Sequence, residues 1–151
     1  PVAPAIIYTA GYEGLLVDGF LNGLLKHGIR RLVDVRNNPV SRRYGFHKGT
    51  LSRLCGYIGL EYVHFPELGI DSASRRGLAG TDEYNALFRR YEGMLLARRS
   101  GEIQRVAALV EEMPSVLVCM EADPTCCHRS RLATAVAGVS GLPVRHLELG
   151  V

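Results

Sequence analysis

The stretch SVLVCMEADPTCCHRSRLATAVA, residues 115–137, has the clearest structural pattern in this chain. Its first part, residues 115–121, is a short apolar run rich in β-branched side chains, which predicts a buried strand. The turn formers at residues 122–125 end that strand, and the remainder has the composition of a helix. A strand that continues through a tight loop into a helix is the unit from which α/β sheets are built.

The first turn of the predicted helix carries thiols, an imidazole and a guanidinium group, in the order Cys126, Cys127, His128 and Arg129. Thr125 is the predicted N-cap, so the free amides of the following residues would point at the same space as these side chains. A helix N-terminus attracts negative charge, and nearby cations strengthen that attraction. We therefore expect an anion site here.

Length and composition limit the classes of protein to consider. A chain of 151 residues predicts one domain, residues 1–151, with a core large enough to fold without cross-links. No apolar run approaches the ~20 residues of a membrane span, and the N-terminal residues lack the charged region of a secretory signal. Four cysteines, two of them adjacent, do not resemble a disulfide framework, so we expect a cytoplasmic protein with no membrane partner.

The net charge of +3 is too small to require a nucleic-acid partner, but basic residues are unevenly distributed. The stretch from Arg30 to Arg53 contains seven of them and a single acid, Asp34. Arginine suits forked recognition of phosphate or carboxylate groups. Arg36 and Arg42 are close enough along the chain to bind one anion together, although a solvated rim is the commoner arrangement of surface arginines.

Strand and helix patterns alternate along the chain, which predicts an α/β fold with a mostly parallel sheet of about five strands and helices on both faces, Rossmann-like or flavodoxin-like. A long helical crossover between residues 80 and 113 predicts the strand order 3-2-1-4-5, with a crevice between the first and fourth strands. The predicted strands are residues 6–9, 31–36, 61–65, 115–121 and 144–149, and the predicted helices are residues 17–27, 48–58, 81–99, 101–113 and 126–137.

In this arrangement the loops at residues 11–14, 36–47 and 121–129 meet at the carboxyl edge of the sheet. We predict one site there, in which Asp34, Glu121 and His128 are the catalytic candidates. The predicted ligand-binding residues are Gly11, Tyr12, Arg36, Ser41, Arg42, Cys127 and Arg129.

The same loops carry a family resemblance. Residues 9–14 (TAGYEG), residues 34–42 (DVRNNPVSR) and the pairing of Cys119-Met120-Glu121 with Cys127-His128-Arg129 resemble the family called domain of unknown function 488. The resemblance covers nearly the whole chain. It implies a compact α/β fold and a polar cleft that holds these motifs.

Several of these residues have a structural alternative. Asp34 at a strand end can pair with Arg36 or cap the following turn. Ser41 can donate to an anion or close a local turn, which is the usual role. Tyr44, Phe46 and His47 have the composition of a base-stacking surface or of a lid packed on the core. Tyr62 and His64 face the same side of their strand.

The cysteines divide into two groups. Cys119 and Cys55 lie in apolar patterns typical of inert core residues. Cys127 lies at a helix N-terminus beside His128, an environment that lowers a thiol pKa and favours a thiolate nucleophile. The CxxxxxR loop of phosphatases and sulfurtransferases is absent, since Leu132 and Ala133 stand six residues after Cys126 and Cys127.

Metal binding is a weaker hypothesis at this stage, because adjacent thiols followed by histidine match no common structural zinc spacing. A loosely held catalytic metal on Asp34, Glu121 and His128 is conceivable, but we expect no metal and no cofactor. No GxxxxGK[ST] phosphate loop occurs, so the sequence gives no indication of an ATPase.

Three functional hypotheses follow. The first is a basic cleft that binds a phosphate-bearing ligand, a nucleotide or a nucleic-acid end, with acid–base chemistry if the protein is an enzyme. The second is a non-catalytic nucleic-acid-binding module that uses the basic stretch. The third is a thiol enzyme that depends on Cys127.

Overall fold

A computed structural model describes residues 4–41, 43–75 and 77–149. Within these residues, five strands form one parallel sheet. The strands are β1 (Ile7–Gly11), β2 (Arg31–Asp34), β3 (Glu61–His64), β4 (Ser115–Cys119) and β5 (Val144–His146). The helices are α1 (Val17–Lys26), α2 (Lys48–Tyr57), α3 (Ser72–Arg75), α4 (Thr81–Arg98), α5 (Ser100–Glu112) and α6 (His128–Ser140).

The α/β class with a parallel sheet is confirmed, but the predicted strand order is wrong in one place. The observed order is β3-β2-β4-β1-β5, so β4 lies between β2 and β1 rather than outside β1. Val116 pairs with Tyr8 of β1 on one side and with Leu32 of β2 on the other. All five residues of β4 are buried, whereas the short β5 is partly exposed. The uninterrupted apolar strand thus occupies the fully covered centre of the sheet.

Helices cover both faces of the sheet. Side chains alternate between the faces along each strand, so Val116 and Val118 pack with the core that includes α1 and α2. Leu117 and Cys119 pack with the core that includes α4, α5 and α6. Cys119 therefore faces the helix that carries Cys127. Among the described helices, none has the length and apolar character needed to cross a membrane.

The start of α6 differs from the expectation that Thr125 is its N-cap. A 3-10 turn at Pro124–Cys126 comes first, because the Asp123 carboxylate accepts hydrogen bonds from the Thr125 amide and hydroxyl groups. The N-cap of α6 is Cys127, whose sulfur accepts a hydrogen bond from the Arg129 amide at 3.5 Å. The Cys127 sulfur thus lies at the electropositive end of the helix.

Gly11 ends β1 where the backbone of Glu121 passes directly over it. A Cβ atom at this position would overlap the Glu121 carbonyl group. We predict that Gly11→Ala lowers the free energy of unfolding by about 1–3 kcal/mol, the usual cost of overpacking. Urea denaturation measures this change.

Gly19 provides the matched control, because it lies within α1 and a Cβ atom there would meet open space. Gly19→Ala should stabilise the protein by about 0.5–1 kcal/mol through the higher helix propensity of alanine. Equal effects of the two substitutions would contradict the close approach inferred at Gly11.

Candidate functional site

A cleft of about 140 Å³ opens at the carboxyl edge of the sheet, above β1, β2 and β4. It draws on each of the three loops that the sequence places at this edge, and on the segment that follows β3. Its lining residues are Tyr12, Arg36, Asn37, Asn38, Val40, Ile70, Arg75, Cys119, Met120, Glu121 and His128. The structure thus brings Tyr12, Arg36, Glu121 and His128 together.

Asp34 and Arg36 form a buried, two-pronged ion pair. The Arg36 Nε and Nη2 atoms donate to the two Asp34 carboxylate oxygens at 2.8 and 2.7 Å. Tyr62 donates its hydroxyl proton to Asp34 as well, and burial together with the Asp34 charge raises the pKa of Tyr62 far above its usual range. Asp34 is fully buried, so its carboxylate holds Arg36 and Tyr62 in place rather than facing a ligand.

The remaining Arg36 donors are also used within the protein. Nη1 donates to the Phe46 carbonyl at 2.6 Å and to the Tyr12 hydroxyl at 3.2 Å. The Tyr12 and Phe46 rings stack with their centroids 4.1 Å apart. Phe46 is buried while Tyr44 is exposed, so the aromatic residues of this loop are divided between the core and the surface. Arg36 therefore contributes a positive charge to the cleft, while its hydrogen bonds hold Tyr12 and the Phe46 backbone in place.

Arg129 is completely buried and joins three parts of the fold. Its Nε donates to the Thr9 hydroxyl at 3.2 Å, its Nη1 to the Cys119 sulfur at 3.2 Å and to the Glu121 carbonyl, and its Nη2 to the Ala122 carbonyl at 3.1 Å. None of the carboxylates among residues 4–41, 43–75 and 77–149 makes a salt bridge with it. The side-chain and backbone groups that accept from Arg129 are thus a hydroxyl, two carbonyls and the Cys119 sulfur, none of them a carboxylate.

His128 is buried in a neutral form. Its Nε2 lies 2.8 Å from the Val35 carbonyl oxygen, which only accepts hydrogen bonds, so Nε2 carries the proton. Nδ1 is then an unprotonated acceptor, 3.7 Å from the Cys127 sulfur. Burial lowers the pKa of His128 to about 4. His128, a catalytic candidate from the sequence, therefore presents a hydrogen-bond acceptor at Nδ1.

Two sulfur atoms meet at the wall of the cleft. Those of Cys119 and Cys127 are in direct contact as a disulfide, and the Cys119 sulfur lies 3.6 Å from Glu121 Oε2. Cys119 is buried as expected, but its sulfur faces the site rather than an inert core. The sequence contained one signal for this contact, since strand alternation places Cys119 on the same side as Leu117 and α6.

Other predicted residues lie elsewhere. Gly11 borders a neighbouring cavity with Glu13 and His146. Ser41 accepts a hydrogen bond from the Arg43 amide at 3.1 Å, which is the local-turn alternative. Arg42 lies outside the described residues.

Arg75 belongs to the lining of the cleft and was not singled out from the sequence. About a third of its side chain is exposed, and Nη1 lies 3.5 Å from Glu121 Oε1. It follows a loop-like, polar stretch with no strand pattern, so no periodic signal linked it to the sheet edge.

The basic stretch of residues 30–53 does not form a continuous charged face. Arg31 is buried against Glu61 and Glu112, at 3.0 and 2.9 Å. Arg36 is buried against Asp34. Among the described basic residues of this stretch, Arg30, Arg43, Lys48 and Arg53 are the exposed ones.

The fold and the cleft define an α/β protein with a parallel sheet whose strand-end loops hold one polar site. Residues 17–136 match the family described as Domain of unknown function DUF488, and the chain belongs to this family. No curated protein and no solved structure gives a significant match to the chain.

The neutral, buried state of His128 predicts a stability loss in mild acid. Its pKa is about 4 in the folded protein and ~6.5 in an unfolded chain, so only the unfolded chain gains a proton there as the pH falls between these values. The free energy of unfolding should therefore fall from pH 6.5 toward pH 4. Urea denaturation across this range should show a shallower fall for His128→Gln than for the wild type; equal slopes would contradict a depressed pKa.

The Asp34–Arg36 pair predicts a large effect of removing one partner. Asp34→Asn should lower the free energy of unfolding by about 3–5 kcal/mol, because it leaves the buried guanidinium group unpaired. The control is Asp34→Asn combined with Arg36→Met, which removes the unpaired charge and should be more stable than Asp34→Asn alone. Urea denaturation compares the two, and a double variant less stable than the single one would contradict the pairing.

Proposed function

We propose that the cleft binds a small phosphate-bearing ligand and acts on it as an enzyme. The observation that supports this proposal most directly is the charge balance around the cleft. Arg36 faces Asp34 and Arg75 faces Glu121, but Arg129 has no carboxylate in salt-bridge contact among the described residues. The Glu121 and Asp123 charges act on Arg129 without forming an ion pair with it. A buried cation that has no direct ion pair favours an anion nearby, and the N-terminus of α6 adds to the same field.

Arg75 is the residue best placed to contact the ligand directly. It is partly exposed, and its one described ion pair, with Glu121, has the long N–O distance of 3.5 Å. Asn37 and Asn38 also line the cleft. Arg36 and Arg129 attract the ligand through their charge and not through direct hydrogen bonds, because the donors Arg36 Nη1 and Nη2 and Arg129 Nε and Nη2 are bonded to the protein.

Glu121 and His128 are the proposed proton-transfer groups. The Glu121 side chain is one-fifth exposed and lines the cleft, and the Nδ1 lone pair of His128 makes it an acceptor at neutral pH. Asp34 is a positioning residue in this scheme, since Arg36 and Tyr62 occupy its carboxylate oxygens. A general base must reach the proton that it abstracts.

The dimensions of the cleft favour a small molecule over a nucleic-acid strand. A volume of about 140 Å³ corresponds to four or five water molecules at about 30 Å³ each, enough for a phosphate group and a short attached portion. A nucleic-acid module needs a run of exposed cations that follows the phosphate backbone, and Arg31 and Arg36 interrupt that run.

Calorimetric titration of the protein with inorganic phosphate and with adenosine monophosphate tests the proposal. Binding should weaken about 10–100-fold in Arg75→Gln, the value of a charge-assisted hydrogen bond of about 1.5–3 kcal/mol. Arg89→Gln is the matched control, because Arg89 is exposed on α4 and does not line the cleft.

Two outcomes would contradict the proposal. One is the absence of binding for both phosphate compounds. The other is tight binding of a single-stranded oligonucleotide that falls steeply with salt and is insensitive to Arg75→Gln, which would identify a nucleic-acid-binding module.

A further inference from the structure

We propose that Cys119, Cys127 and Glu121 form a binding site for a divalent transition metal, with zinc as the best match. Single ligand atoms of the three side chains lie within 4.8 Å of one another, at the wall of the cleft. The site shares the cleft with the proposed phosphate ligand but does not depend on that ligand. From the sequence we expected a site without a metal, so this proposal departs from that expectation.

In the structure the two sulfurs are bonded to each other as a disulfide, so the site forms in the reduced protein, after a thiol reductant has returned both cysteines to thiols. The separation between Cys119 and Glu121 suits a shared metal. Metal–sulfur and metal–oxygen bonds of about 2.3 and 2.1 Å place two ligands of a tetrahedral zinc ion about 3.5–3.8 Å apart. The Cys119 sulfur and Glu121 Oε2 are 3.6 Å apart. Two thiolates and a carboxylate are ligand types that zinc accepts, and soft sulfur ligands disfavour magnesium and calcium.

The backbone spacing of the two cysteines also favours a metal over a structural disulfide. Their Cα atoms are 7.5 Å apart, whereas disulfides span about 4.4–6.8 Å. Two thiolates on one zinc ion have sulfur atoms about 3.8 Å apart, nearly twice the length of a disulfide bond. The wider backbone spacing fits the larger sulfur separation of a metal site.

The surroundings stabilise both sulfurs as thiolates, the form that binds metals. The Arg129 guanidinium group donates to Cys119 at 3.2 Å, and Cys127 caps the N-terminus of α6. The buried charge of Arg129, which has no salt bridge within the described residues, is then balanced by the site. An added thiol reductant first reduces the Cys119–Cys127 disulfide to two thiols and is itself oxidised to a disulfide. Zinc binding then replaces the two S–H bonds by two zinc–sulfur bonds and releases two protons to solvent.

His128 lies beside this site, because it is not among the residues whose ligand atoms all lie within 4.8 Å of one another. Its Nδ1 is 3.7 Å from the Cys127 sulfur, and its Nε2–H is fixed by the Val35 carbonyl. Three protein ligands leave the fourth zinc position directed at the cleft, which is the arrangement of catalytic rather than structural zinc sites.

Cobalt titration of the reduced full-length chain tests the site, because Co²⁺ replaces zinc and gives a thiolate-to-metal charge-transfer band. We expect one equivalent to bind and zinc to displace it. Cys119→Ala and Cys127→Ser should abolish the band, and Glu121→Gln should weaken cobalt binding at least tenfold. Serine caps a helix well, so Cys127→Ser keeps the fold of α6, which circular dichroism checks.

Cys126→Ala is the matched control. Cys126 adjoins Cys127 but is exposed and outside the cluster, so its removal should leave the cobalt band unchanged. The absence of the band in fully reduced wild-type protein would overturn the proposal, as would equal loss in Cys126→Ala. Phosphate titration of metal-free protein is a separate measurement, so each proposal fails independently of the other.

Discussion

The buried guanidinium group of Arg129 is the contact on which the site depends. It extends from the first turn of α6 to Thr9 in β1, Cys119 in β4 and the carbonyls of the loop that joins β4 to α6. One side chain thus fixes two central strands and a helix relative to each other. A buried cation that satisfied its donors without a carboxylate would be costly unless another anion lies close by.

The charges around the cleft are divided between internal pairs and free groups. Asp34 and Arg36 neutralise each other and position Tyr62, so a motif that looks functional in sequence serves mainly to hold the loop after β2. The reactive groups that remain at the cleft are Glu121, the neutral His128 and the two sulfurs. The groups that we propose to act on a ligand therefore lie mainly on the β4–α6 connection.

Much of the architecture is predictable from local pattern. The apolar run of β4, the glycine that ends β1 and the helical spacing of α1 each specify an element through its own residues. The order of the strands is not specified in this way, because it depends on which strand is covered by helices on both faces of the sheet. The burial of all five residues of β4 places it at the centre, and no local feature of β1 or β4 decides between them.

The α/β class, the family and the meeting of the loops after β1, β2 and β4 were all predictable from the amino-acid sequence, because periodicity and strand-end motifs are local properties. Which side chains are paired with other protein groups became clear from the three-dimensional arrangement of the strands and helices. Arg36 and Asp34 pair with each other, while Cys119 meets Cys127 although eight residues separate them. The first pairing was one of two local alternatives in the sequence, and the burial of both residues identifies it. The second depends on the distance between β4 and α6, which is set by how that helix packs on the sheet.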